Sequence, residues 1–157
     1  MSRRSIVIAA LGTAALAAGG GAALALVAED HAAAGSKPSF AHLLGASEAP
    51  GPGDADGRGA ATVQVVGPAK VCVTLIVNGM ATPNQAHIHR GARGVAGPVV
   101  VPLKAPRTGT AGTSAGCFTA PRSVVSQIAG SPGAFYVNVH NGQHPAGALR
   151  GQLAAAR

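Results

Sequence analysis

The sequence predicts an all-β fold, an antiparallel immunoglobulin-like or Greek-key β-sandwich or barrel of about eight strands with one short helix. Three observations lead there. From residue 39 onward the apolar residues fall in runs of strand length, many alternating with polar ones. Turn formers separate the runs, drawn from 23 glycines and 11 prolines. Only one segment shows helical spacing, and short strands joined by Gly/Pro turns pack as sheet on sheet or as a barrel.

The chain begins with what reads as an export signal over residues 1–34, or a membrane anchor if uncleaved. Arg3 and Arg4 precede an uncharged run from Ile6 to Ala28, "SRRSIVI" is similar to a twin-arginine signal, and Ala32–Ala34 offer an A-x-A cleavage site before Gly35. Residues 35–38 form a short tail, 39–153 the β domain and 154–157 a C-terminal tail. "FAHLL" (40–44) leads into a turn-rich loop (45–59) in which "DADG" is a turn. "AATVQVV" (60–66) and "KVCVTLIV" (70–77) flank a Gly67-Pro68-Ala69 hairpin signal. "QAHIH" (85–89) and "PVVVPL" (98–103) flank a Gly-rich loop, and "GCFTA" (116–120), "AFYVNVH" (134–140) and "GALRGQL" (147–153) complete the strands. Between them Pro121 suits a helix start, Val124, Val125 and Ile128 share a face, and Gly130 suits the stop.

Composition narrows the function. The formal net charge is +7, with cations scattered singly and aromatics at 3%. A nucleic-acid binder needs basic stripes and stacking platforms, so nucleic acid is not an expected partner. An envelope protein or an anionic surface is, and no membrane is expected unless the N-terminal segment is retained as an anchor. Cys72 and Cys117 are an even pair in a chain bound for an oxidising, secreted or extracytoplasmic compartment, which reads as a disulfide. Beyond residue 34 the carboxylates are Glu48, Asp54 and Asp56, all in one loop, which disfavours a glycosidase dyad. No G-x-S-x-G or phosphate loop occurs.

The histidines carry the remaining chemistry. In "AHIHRGARG" (86–94), Ile88 takes the apolar side of a strand while His87 and His89 take the other. Residues two apart on a strand point the same way about 6.7 Å apart, so both imidazoles can converge on one ion. His140 ends another strand on its polar face and is the candidate third ligand; His144 is the candidate fourth. Three imidazoles with an open position suit copper or zinc. The competing reading is a polar groove in which these side chains bond Asn138, Tyr136 and backbone carbonyls. Either way, alternation places the histidines on the outer, wetter surface of a sheet.

Two blocks, "AHIHRGARGVAGPVVVPL" (86–103) and "FYVNVHNGQHPAGALRGQL" (135–153), resemble those of the CHRD domain, named for chordin. "FAHLLGASEAP" (40–50) and "GRGAATVQV" (57–65) resemble its opening strands. The resemblance implies a sandwich or barrel distantly like copper–zinc superoxide dismutases, which also carry H-x-H on a strand. It implies structural roles for Gly91, Gly94, Gly97, Asn138, Arg150 and Gly151 in holding loops and strand ends. Ala148 stands where the family often has an acid, so a pairing of that acid with an Arg is absent. The leading expectation is an exported, non-catalytic binding or structural module at the cell envelope with no catalytic residues. The alternative is a copper (or zinc) protein using His87, His89 and His140, and the weakest reading is a dismutase-like enzyme.

Overall fold

Alternation along the chain becomes nine strands and one helix in the computed structural model, which describes residues 36–156. The expected signal or anchor of residues 1–34 lies outside the described residues. The elements are β1 (Ser39–Leu44), β2 (Arg58–Val65), β3 (Lys70–Asn78), β4 (Pro83–Arg90), β5 (Val99–Leu103), β6 (Gly112–Thr119), α1 (Arg122–Gly130), β7 (Phe135–Asn141), β8 (Leu149–Gln152) and β9 (Ala154–Ala155). Their order across one antiparallel sheet is β5-β4-β7-β8-β1-β2-β3-β6, with β9 pairing β1. The outermost strands approach each other, and the Ser114 hydroxyl of β6 donates to the Lys104 carbonyl just past β5 at 2.6 Å. The sheet therefore curls into a nearly closed barrel, which leaves little edge unpaired.

The interior is the set of side chains that period-2 alternation aims inward. Val71, Val73, Leu75 and Val77 of β3 are buried, as are Val63 and Val65 of β2 and Ile88 of β4, while Thr74 and Ile76 face outward. Helix α1 plugs the barrel with Val124, Val125 and Ile128, its first turn closed by the Val124 and Val125 N–H groups on the Pro121 carbonyl. The hairpin at 67–69 closes with Val66 N–H on the Lys70 carbonyl. Asp54 is buried and its Oδ1 accepts the N–H groups of Asp56 and Gly57, so "DADG" is an Asx turn. The core, every described strand pairing and the helix all lie within the compact unit His31–Arg157, which carries its own hydrophobic core.

Three details depart from the sequence expectation. β6 begins at Gly112, four residues before "GCFTA", because Gly112–Ala115 carry no large apolar side chain yet pair with Val77–Thr74 of β3. β4 starts at Pro83, across a register shift against β7. The two-residue β9 forms on the segment expected to be a tail.

Cys72 and Cys117 face each other directly across β3 and β6, with Cα atoms 3.9 Å apart, and are joined as a disulfide. It ties one end strand of the sheet to its neighbour and closes a sequence separation of 45 residues. A loop of that size stabilises by about 4 kcal/mol in the chain-entropy treatment. Cys72→Ala/Cys117→Ala is expected to lower the unfolding free energy by about 3–4 kcal/mol in urea titration. A loss under about 1 kcal/mol would mean the ladder alone closes the barrel.

Candidate metal centre

Strand β7 lies between β4 and β8, and its register decides which side chains meet. His87 sits opposite Asn138, which sits opposite Arg150; His89 sits opposite Tyr136, which sits opposite Gln152. His140 pairs with Gln85 and so is the diagonal neighbour of His87. His87 Nδ1 and His140 Nε2 are 3.4 Å apart, the His87 and His89 rings 5.6 Å apart, and one ligand nitrogen from each of the three lies within 4.8 Å of the others. Among the described residues this is the one group of metal-ligating side chains of three or more.

Two of the three tautomers follow from partners that can only accept. His89 Nδ1 lies 2.8 Å from the Gly97 carbonyl and His140 Nδ1 lies 3.0 Å from the Pro145 carbonyl. Both Nδ1 atoms therefore donate, which leaves the two Nε2 atoms as lone-pair nitrogens. His89 Nε2 is buried without a hydrogen-bond partner. Burial, and then the neighbouring His140 and His89, hold His87 below the ordinary imidazole range. Burial likewise lowers His89, partly offset by the Gly97 carbonyl, with His140 and Arg150 adding to the depression. The arrangement favours the neutral imidazole at His87 and His89, the form in which nitrogen binds a metal.

The face is not the wet surface that alternation implies. Tyr136, Asn138 and Arg150 are 4%, 3% and 2% exposed, and the histidines are partly buried. The loop 91–98 folds back over this side of the sheet as a further layer. Arg150 Nη2 donates to the carbonyls of Ala92 and Val95, each at 2.9 Å, and Gln152 Nε2 donates to the Gly91 carbonyl at 2.8 Å. The Gly97 N–H donates to the Tyr136 hydroxyl at 3.1 Å. Loop carbonyls satisfied by β8 side chains make the covering layer affordable, and a period-2 pattern has no means of recording it. The Tyr136 ring is stacked on His89 (centroids 4.8 Å, planes 11° apart) and lies 3.5 Å beneath the Arg150 guanidinium.

Gly94 turns the covering loop at φ +77°, and a Cβ at Gly97 would run into the Arg90 carbonyl oxygen. Gly91 lies under Val95 and Tyr136, and Gly151 against the His42 carbonyl. His144 stands outside the ligand group. Its N–H bonds Asn141 Oδ1, and it lines a cavity of about 190 Å³ with Glu48 and Pro145.

Glu48 is the participant that sequence reasoning missed. It reaches Asn138 across the sheet, accepting a hydrogen bond on Oε1 from Nδ2, and Asn138 also donates to the Leu149 carbonyl at 3.2 Å. Desolvation pushes the Glu48 carboxyl up from 4.5 to about 7, opposed by Arg150 and by the bond from Asn138. The countercharge that Ala148 cannot supply to Arg150 thus comes from a loop about 100 residues earlier. One signal was legible: in a chain this poor in carboxylates, a lone Glu in a Gly/Pro loop is a candidate partner for a strand Arg.

A model of the family described as the CHRD domain matches residues 39–153. No curated protein matches the chain.

Because the folded state raises the Glu48 pKa, it holds this proton more tightly than the unfolded chain does. The stability Glu48 contributes is complete below about pH 4.5 and is lost as pH rises through about 7. Glu48→Gln keeps the acceptor oxygen but cannot ionise. Its melting temperature relative to wild type is expected to climb steadily from pH 4.5 to 8; a constant difference would show that Glu48 ionises freely in the fold.

Proposed function

The chain belongs to the CHRD domain family, and from that premise we propose that it is a non-catalytic, extracytoplasmic binding module whose ligand is a copper or zinc ion held by His87, His89 and His140. The observation that carries the reading is the buried, unpartnered Nε2 of His89 beside two further imidazole nitrogens. An unsatisfied buried nitrogen costs about 1–3 kcal/mol unless something occupies it. A soft-to-borderline divalent ion is what three neutral imidazoles accept best.

The surroundings support binding over turnover. Two ligands are oriented by backbone carbonyls, which is how metal-bound imidazoles are usually held. Tyr136, Asn138 and Arg150 are engaged in stacking and in pinning loops. Bound copper would supply a redox-active centre there and bound zinc a Lewis acid. The disulfide supports an oxidising compartment, in keeping with export. Among the described residues no helix is long and apolar enough to cross a membrane.

Residues 35–157, untagged and incubated with copper(II) or zinc, are expected to retain one equivalent through dialysis. His89→Ala should lose it with the far-UV spectrum unchanged, and His144→Ala should keep it. Tyr136 is the only tyrosine and the chain has no tryptophan, so copper at His89 should quench the intrinsic fluorescence in step with occupancy. Retention that survives His89→Ala, or no retention at all, would leave the three histidines as a structural cluster.

A further inference from the structure

The antiparallel register sorts the charges in a way the scattered sequence positions conceal. At one pole of the barrel lie the start of β1, the 66–69 hairpin between β2 and β3, the ends of β4 and β6, and the starts of β5 and β7. Lys37, Lys70, Arg90 and Arg93 are exposed at these strand ends and connections, with Arg122 on the first turn of α1. No carboxylate of the described residues belongs to that pole. Glu48, Asp54 and Asp56 all sit in the β1–β2 loop at the opposite pole, which also carries Arg58, Lys104 and Arg107. Of those acids, Glu48 is half-buried and Asp54 is enclosed in its Asx turn.

The same pole gathers most of the large apolar side chains that face solvent. Phe40 near the start of β1, Val66 at the hairpin, Val95 on the β4–β5 loop and Val99 at the start of β5 are 43%, 41%, 54% and 48% exposed. Phe40 and Arg93 share the wall of a shallow cavity beside β9. A purely polyanionic partner needs only the cations; protruding apolar side chains set among them fit an interface with an acidic face and an apolar layer beneath it.

We propose that this pole is a peripheral docking surface for an anionic phospholipid bilayer, with Lys37, Lys70, Arg90 and Arg93 on the headgroups and Phe40, Val66 and Val99 at the acyl boundary. Charge complementarity selects the occupant, since cations without acids are attracted to an anionic leaflet and each adds about fivefold to binding near its surface. The residues exchanged in the test below, Lys70, Arg93 and Phe40, are none of the three candidate ligands, so loss of lipid binding and loss of metal are read separately.

The test is co-sedimentation of residues 35–157 with vesicles of phosphatidylcholine, with and without phosphatidylglycerol, at low and high salt. Binding is expected only with phosphatidylglycerol and should weaken as salt rises. Lys70→Gln/Arg93→Gln should reduce the partition coefficient roughly 25-fold. Lys104→Gln/Arg107→Gln, which removes the same charge from the opposite pole, should reduce it less than about threefold. Phe40→Ser should weaken binding without changing its salt dependence. Equal losses from the two charge pairs would reduce the effect to net charge and overturn the assignment. So would absent vesicle binding, binding indifferent to phosphatidylglycerol, or binding to soluble polyphosphate but not to vesicles.

Discussion

The guanidinium of Arg150 lies over the Tyr136 ring, donates from Nη2 to the carbonyls of Ala92 and Val95, and faces the Glu48 carboxyl. It is almost wholly buried, so its charge survives there only because ring, carbonyls and carboxyl replace water. Three parts of the chain depend on it. The 91–98 loop is held down on the sheet, the Glu48 loop is drawn toward it, and the ring stacked against His89 is fixed between imidazole and guanidinium. A cation–π contact desolvated this fully is worth about 2 kcal/mol, comparable to a charge-assisted hydrogen bond. With a lysine at that position the charge would remain, but not the planar group that lies over the Tyr136 ring while its Nη2 donates to both carbonyls.

From that clamp the ligand geometry follows. The Gly97 carbonyl reaches His89 Nδ1 only because the covering loop is pressed against β4, and Tyr136 takes the Gly97 N–H at the same place. The His140 tautomer is set separately, by the Pro145 carbonyl of the turn between β7 and β8. The lone-pair nitrogens are therefore oriented by two loops resting on a rigid three-strand platform. Such support fixes the imidazoles in place through the fold itself. The disulfide works at the far end of the strand order, on β3 and β6, where it secures the closing edge without touching the histidines.

Burial on this face also explains its acid–base character. The layer that excludes water from Tyr136 and Asn138 lowers His87 and His89 and raises Glu48, moving all three toward their neutral forms. His87 and His89 are thus held toward neutrality beside the buried Arg150 guanidinium, with Glu48 part-ionised near pH 7.

Much of the fold was legible residue by residue. Alternation on β3 and β7 identified the inward Val71, Val73, Leu75, Val137 and Val139, the Gly67-Pro68-Ala69 signal marked its hairpin, and Pro121 to Gly130 bounded the single helix. The pairing of Cys72 with Cys117 was readable from an even cysteine count, and the shared face of His87 and His89 because period 2 is a local property of an extended chain. Apart from that disulfide, what the tertiary structure alone decided is what joins segments far apart. Glu48 meets Asn138 across 90 residues, and Arg150 meets Ala92 across 58. The Gly112–Ala115 stretch becomes strand only because β3 offers it a ladder, and Lys37, Lys70, Arg90 and Arg93 meet at one pole because antiparallel strands return to it. Side-chain periodicity says which way a residue faces; only the closed sheet says what it will find there.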